Sequence, residues 1–108
     1  MSYNVKTLVS FEKQAKRLIK KYPSLKVELN QLISSLADNP EQGSFIGNSC
    51  YKIRLAIASK GKGKSGGARV ITNLVIKEKI VYLISIYDKS EIPSISSNDI
   101  EALLKQIQ

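Results

Sequence analysis

Residues 50–76 read CYKIRLAIASKGKGKSGGARVITNLVI, and the architecture follows from them. Cys50 to Ala58 alternates, with Tyr51, Ile53, Leu55 and Ile57 on one face and Lys52, Arg54, Ala56 and Ala58 on the other. A period of two marks a half-buried strand. A second apolar run, Ala68 to Ile76, follows. The connection SKGKGKSGG sets Lys60, Lys62 and Lys64 apart by glycines, and two strands joined in this way form a hairpin. Between Gln42 and Lys77 there is no Asp or Glu, against seven Lys or Arg. Lys52 and Arg54 beside small alanines offer a positive floor, and a flexible cationic loop at its end is suited to a phosphate chain. A plainer reading stays open beside it: a solvated hairpin kept basic for solubility, since charge runs are commonly solvated surface.

Working outward, Tyr3 to Leu8 is a short strand. Ser10 is the expected N-cap of a first helix, with Glu12 in its first turn. Phe11, Ala15, Leu18 and Ile19 recur at helical spacing, and Tyr22-Pro23 stops the helix. Ser24 is expected to cap a second helix, with Leu25, Leu29, Leu32, Ile33 and Leu36 as its buried stripe up to Asp38. Pro40 to Ser49 reads as a loop. After the hairpin, Lys77-Glu78-Lys79 turns into Ile80–Tyr87, which is apolar on both faces and so belongs in the middle of its sheet. Ser96 or Ser97 caps a last helix over 98–107. The order β-α-α-β-β-β-α predicts an α+β fold, a largely antiparallel sheet packed by a helical hairpin.

With 108 residues, the chain has the length of a single domain, 1–108. Its net charge of +8 favours a polyanionic partner. No run is long enough for a membrane span, and MSYNVKTL has no signal-peptide pattern, so no membrane role and a cytoplasmic protein are expected. Cys50 has no internal partner and reads as core filling rather than as a nucleophile. There is no histidine, which removes the usual general base and the commonest metal ligand. The nine carboxylates are scattered, so neither a metal nor another cofactor is expected. Catalysis would fall to Lys, Arg, Tyr or a lone carboxylate.

The GKGKS segment fails as a P-loop, because Ala58 stands where the first glycine belongs and a strand follows where a helix is required. Arg69 opens the second hairpin strand near the register of Lys52 and Arg54. Such clustering eases deprotonation of a lysine, which can then act as a base, while arginine stabilises a crowded phosphate. That chemistry is enough for cleavage of RNA by its own 2′-hydroxyl without a metal.

The segments YKIRLAIASKGKGKSGGARVI, VYLISIYDKSE and ISSNDIEALLKQ, in this order, resemble the RelE/HigB-like toxins of bacterial type II toxin–antitoxin systems. They come nearest the HigB-type branch, through GKSGGARV. The resemblance implies a RelE-type fold and a metal-independent endoribonuclease (an mRNA interferase) that cuts mRNA in the ribosomal A site. It also implies a cognate antitoxin, of helix-turn-helix HigA-like type, with operator DNA bound only through the antitoxin complex. By the resemblance, Lys52 and Arg54 match a basic pair on the first hairpin strand, and Arg69 an arginine at the scissile phosphate. Tyr87 and Lys89 match the polar end of the last strand, and Lys60, Lys62 and Lys64 a loop that touches mRNA or ribosomal RNA. Two departures stand out: Thr72 and Asn73 replace aromatics common in this branch, and the tail ALLKQIQ offers only Lys105. The alternatives are a ParE-type poison of DNA gyrase and a catalytically inactive module that binds nucleic acid or an antitoxin.

Overall fold

A computed structural model describes residues 2–61 and 63–107. Five strands form one sheet in the order β1-β5-β4-β3-β2. They are β1 (Asn4–Thr7), β2 (Ser44–Gly47), β3 (Cys50–Leu55), β4 (Ala68–Val75) and β5 (Ile80–Asp88). Only β1 with β5 is parallel, and the other pairs are antiparallel. Helices α1 (Val9–Lys21) and α2 (Leu25–Asp38) cover one face, and α3 (Ser97–Leu104) covers the other. The α+β class and the mainly antiparallel sheet are as predicted.

The two faces carry separate cores. Phe11, Leu18, Leu25, Leu29 and Leu36 pack on Ile53, Val70, Val81, Leu83 and Ile86. Cys50, Ile71, Ile84, Tyr87 and Ile100 form the second cluster, closed by Leu103 and Leu104. β5 is therefore buried on both sides, which accounts for its unbroken apolar run. Burial pushes the Cys50 thiol up, so it stays protonated as part of the core.

Three local expectations need correction. The 40–49 segment is not wholly a loop, because Ser44–Gly47 forms the edge strand β2. The observed order is therefore β-α-α-β-β-β-β-α. Four residues, SFIG, preceded by Gly43 and ending in Gly47, carry too short an alternation to be read as a strand. Asn48 and Ser49, both at positive φ, turn β2 into β3, and the Asn73 amide donates to the Asn48 carbonyl at 3.0 Å. Asn73 and the fully buried Thr72 thus belong to the interior, at the far end of β4 from Arg69.

Ser10 does not cap α1, since the helix already begins at Val9. Leu8 donates its N–H to the Leu83 carbonyl and accepts from the Glu12 N–H, so β1 runs straight into the helix. Ser24 precedes α2 without capping it. Its hydroxyl donates to Glu28 (3.1 Å) and accepts from the Ser59 N–H (2.9 Å). At α3 the cap is Ser96, whose Oγ accepts from Asp99 N–H at 3.1 Å.

Candidate functional site

Register brings the basic residues together. Ile53 and Ile57 lie in the helix-hairpin core and Cys50 in the α3 core, so Lys52 and Arg54 share the α3 face. Arg54 stands directly opposite Arg69, and Arg69 directly opposite Tyr87. The three form a row across β3, β4 and β5, with side chains starting about 5 Å apart from strand to strand. Lys52 lies in the row of Ile71 and Ser85. β2 ends its pairing at Lys52, which leaves Arg54 on an open edge.

A groove of about 480 Å³ runs along that edge and is lined by Lys52, Arg54, Lys64, Gln42, Ser44 and Asn39. No carboxylate lines it. Arg54 and Lys64 are exposed and Lys52 is half-buried. These three are cations facing solvent.

Arg69 behaves differently. It is 5% exposed, and its guanidinium donates to the carbonyls of Lys64 (2.9 Å), Ser65 (3.2 Å) and Ala68 (3.2 Å). It therefore ties down the C-terminal half of the lysine loop. Gly67 allows the close passage this needs, since a Cβ there would lie 2.2 Å from the Leu55 carbonyl oxygen. Inside the loop, Gly61 and Gly63 are at positive φ.

Tyr87 is 3% exposed, and its hydroxyl has no hydrogen-bond partner among the described residues. Its ring packs in the α3 core and also lines a cavity of about 320 Å³ with Gln14, Ser85, Ile95, Asp99 and Leu103. Lys89 bends back, its Nζ donating to the Pro93 carbonyl at 2.6 Å, while its N–H donates to Gly67. Lys62 lies outside the described residues.

Lys60 is directed inward. Its ammonium forms a short ion pair with Asp88, donates to Ser90 Oγ at 2.8 Å and sits 5.6 Å from the centre of the Tyr22 ring. Its side chain is 8% exposed and that of Asp88 is 0% exposed. Burial alone would push the Asp88 carboxyl up. Hydrogen bonds from Lys60, Ser90 and Tyr22 outweigh that and hold it well below the usual carboxylate range. Lys60 thus does not share the outward setting of Lys64.

Two contributors escaped the sequence reading. Asp88 carried a signal: an acid ending a strand that is buried on both faces has to be buried itself, and hence paired. Gln14 carried none. Its side-chain carbonyl accepts from Ile86 N–H (3.1 Å) and Ser85 Oγ (3.3 Å), serving β5 past the end of β1.

A sheet with helices on both faces and a cationic row at one end of its hairpin defines the class of small α+β toxins that the sequence resembles. The family model described as RelE toxin of the RelE/RelB toxin–antitoxin system matches residues 7–107, and the chain belongs to this family. Among solved structures, an arginine-to-alanine double mutant of the E. coli toxin RelE in the free state is similar, with a TM-score of 0.65 and 19% identity. That match covers 100% of both chains. The isolated E. coli RelE toxin gives a TM-score of 0.61 and 19% identity, over 99% of this chain and 100% of that one. At these identities the likeness is one of fold.

Proposed function

We propose that this toxin is an endoribonuclease that cuts mRNA on the ribosome and is silenced by a cognate antitoxin. The observation that carries the reading is the cross-strand row of Arg54, Arg69 and Tyr87, whose outer member Arg54 borders, with Lys52 and Lys64, a groove lined without a carboxylate. A cationic groove gathers a phosphate chain, and positioned cations stabilise the charge that builds on a phosphate under attack.

In the proposed step the 2′-hydroxyl loses its proton to a base and its oxygen attacks the adjacent phosphorus. The bond from phosphorus to the 5′ oxygen breaks, and that oxygen takes up a proton. The products are a 2′,3′-cyclic phosphate and a 5′-hydroxyl end. Lys52, Arg54, Arg69, Tyr87 and Lys89 are the candidates for base, acid and charge stabilisation, and Lys64 and Lys62 for backbone contacts. The cations supply the charge stabilisation, so the reaction requires no metal or other cofactor. The GKSGGARV segment favours a HigB-type toxin, whose antitoxin would be a helix-turn-helix protein of HigA-like type.

A second reading has its own support. The Arg69 guanidinium is bonded to the loop and the Tyr87 hydroxyl is buried, as in a module that binds nucleic acid without cutting it. Mapping of 5′ ends on mRNA in programmed ribosomes, with the parent and Arg54→Ala, separates the two. Cuts at the A-site codon that the substitution abolishes support the nuclease. Binding without cuts supports the module, and growth arrest with DNA-damage signalling but no cuts supports a gyrase poison.

A further inference from the structure

The lysine loop is held at two ends by different means. At its start, the 3₁₀ turn Ala58–Lys60 is tied to α2, with Ala58 N–H donating to Glu28 at 2.7 Å. Lys60 then reaches the buried Asp88, beside the half-buried Tyr22 and the exposed Ser90, where Tyr22 donates to Asp88 at 2.9 Å and the Ser90 N–H does so at 2.9 Å. At its end, Arg69 gathers the loop carbonyls and the Lys89 N–H meets Gly67. Asp88 directly follows Tyr87 and pairs in register with Ala68, so the ion pair sits one residue along from the row, on the helical-hairpin face of the sheet where the row lies on the α3 face. A flexible glycine-rich loop is costly to order, and an anchor next to the site fixes where its free cations stand.

We infer that the Lys60–Asp88 pair is a positioning device that sets the lysine loop over the row, and that Lys60 touches no phosphate. This rests on the endoribonuclease reading for its bearing on activity, but not for its geometry. Lys64, exposed beside Arg54, is left as the described lysine of this loop that meets the RNA backbone.

The test compares the parent with Lys60→Met/Asp88→Leu, Lys60→Arg and Lys64→Ala. The double variant removes one charge of each sign, so the net field is unchanged. Apolar replacement of a buried pair is commonly tolerated. Amide hydrogen exchange across 63–67 should quicken about tenfold or more in the double variant, and stay near the parent in Lys60→Arg and Lys64→Ala. Binding of a short, uncleavable 2′-O-methyl RNA strand is then followed against salt. Lys64→Ala should lower the slope of log K against log salt by about 0.7, one phosphate contact, while the double variant keeps the parent slope. Cleavage on programmed ribosomes should fall about 10- to 100-fold in the double variant and recover in Lys60→Arg.

Unchanged exchange in the double variant would overturn the anchoring role, and a slope lowered by about 0.7 would make Lys60 a phosphate contact. Cleavage equal to the parent's would remove any role in the site. If the parent itself does not cut, the nuclease reading fails, and exchange and slope still decide what the pair does. Should the double variant not fold, Lys60→Gln/Asp88→Asn, which also removes one charge of each sign, gives the same comparison.

Discussion

Arg69→Ala is the substitution on which structural and chemical roles part most clearly. The guanidinium makes three bonds to backbone carbonyls from a side chain that is 5% exposed. A hydrogen bond from a charged group contributes about 1.5–3 kcal/mol, and the bond to the Lys64 carbonyl, at 2.9 Å against 3.2 Å for the other two, is the shortest. Against the loss stands relief of the opposition between Arg54 and Arg69, directly across β3 and β4, at about 0.2–1 kcal/mol. With each of the three bonds at the lower end of that range, the net is a loss of about 4 kcal/mol. For a domain of this size that lowers Tm by about 10–20 °C. The assay is a thermal melt by circular dichroism at fixed ionic strength, run beside ribosomal cleavage. Arg69→Lys should fall between, because a single ammonium cannot replace the planar fork that reaches both Lys64 and Ser65. If Arg69→Ala melts within about 2 °C of the parent while cleavage is lost, the loop bonds carry no stability and the reasoning fails.

Gly67→Ala should lower Tm by at least as much, or give insoluble protein, because its Cβ would lie 2.2 Å from the Leu55 carbonyl; Gly61→Ala, at φ +76 with open space around it, should cost only about 1–2 kcal/mol. Urea unfolding at a series of pH values tests Asp88: its folded pKa is depressed, so the unfolded chain binds the proton more readily, and the pair's stability is present above the ordinary carboxylate range and lost as pH falls below it. Asp88→Asn should flatten that acid-side slope and cost about 3–5 kcal/mol at neutral pH, since it leaves Lys60 buried without its countercharge. Tyr87→Phe removes a buried hydroxyl that has no partner, so Tm should hold or rise; a fall in cleavage alongside an unchanged melt would assign the hydroxyl to chemistry.

Most of the fold was legible because its signals are local. The alternation from Cys50, the two-sided apolar run of β5 and the stop at Tyr22-Pro23 each follow from one element's own residues. What escaped depends on partners distant in sequence. β2 exists because Ser44 and Phe45 find Lys52 and Tyr51 across a turn that Asn73 supports from β4. Ser10 fails as a cap because β1 is held to β5 through Leu83, which carries the chain into the helix two residues early. The candidate site was legible as a set of cations, since a stretch of charge without acids is visible in the sequence. Which cations face solvent was not. Lys60 and Lys64 are alike in the pattern KGKGK, and only the folded position of Asp88, 28 residues from Lys60, separates them.

The end of the sheet that holds the row departs from ordinary sheet rules in two ways. Two arginines stand directly opposite each other, where an opposite-charge or apolar pair would be more stable. Beside them a tyrosine hydroxyl is buried with no partner among the described residues, where phenylalanine would serve the core as well. Elsewhere in the same sheet Val70 faces Ile53 and Ile86, and Asn73 satisfies the turn it meets, while the buried Thr72 hydroxyl of β4 also lacks a partner among the described residues. A patch where local violations gather is where function is expected to oppose stability. The Asp88 cluster bears on this conflict. Repulsion among the loop's cations favours an open loop, and a carboxylate held ionised beneath Lys60 draws the first of them inward. One buried acid thus lets a strongly basic loop stay ordered beside a basic strand, leaving Lys64 and Arg54 exposed toward a polyanion.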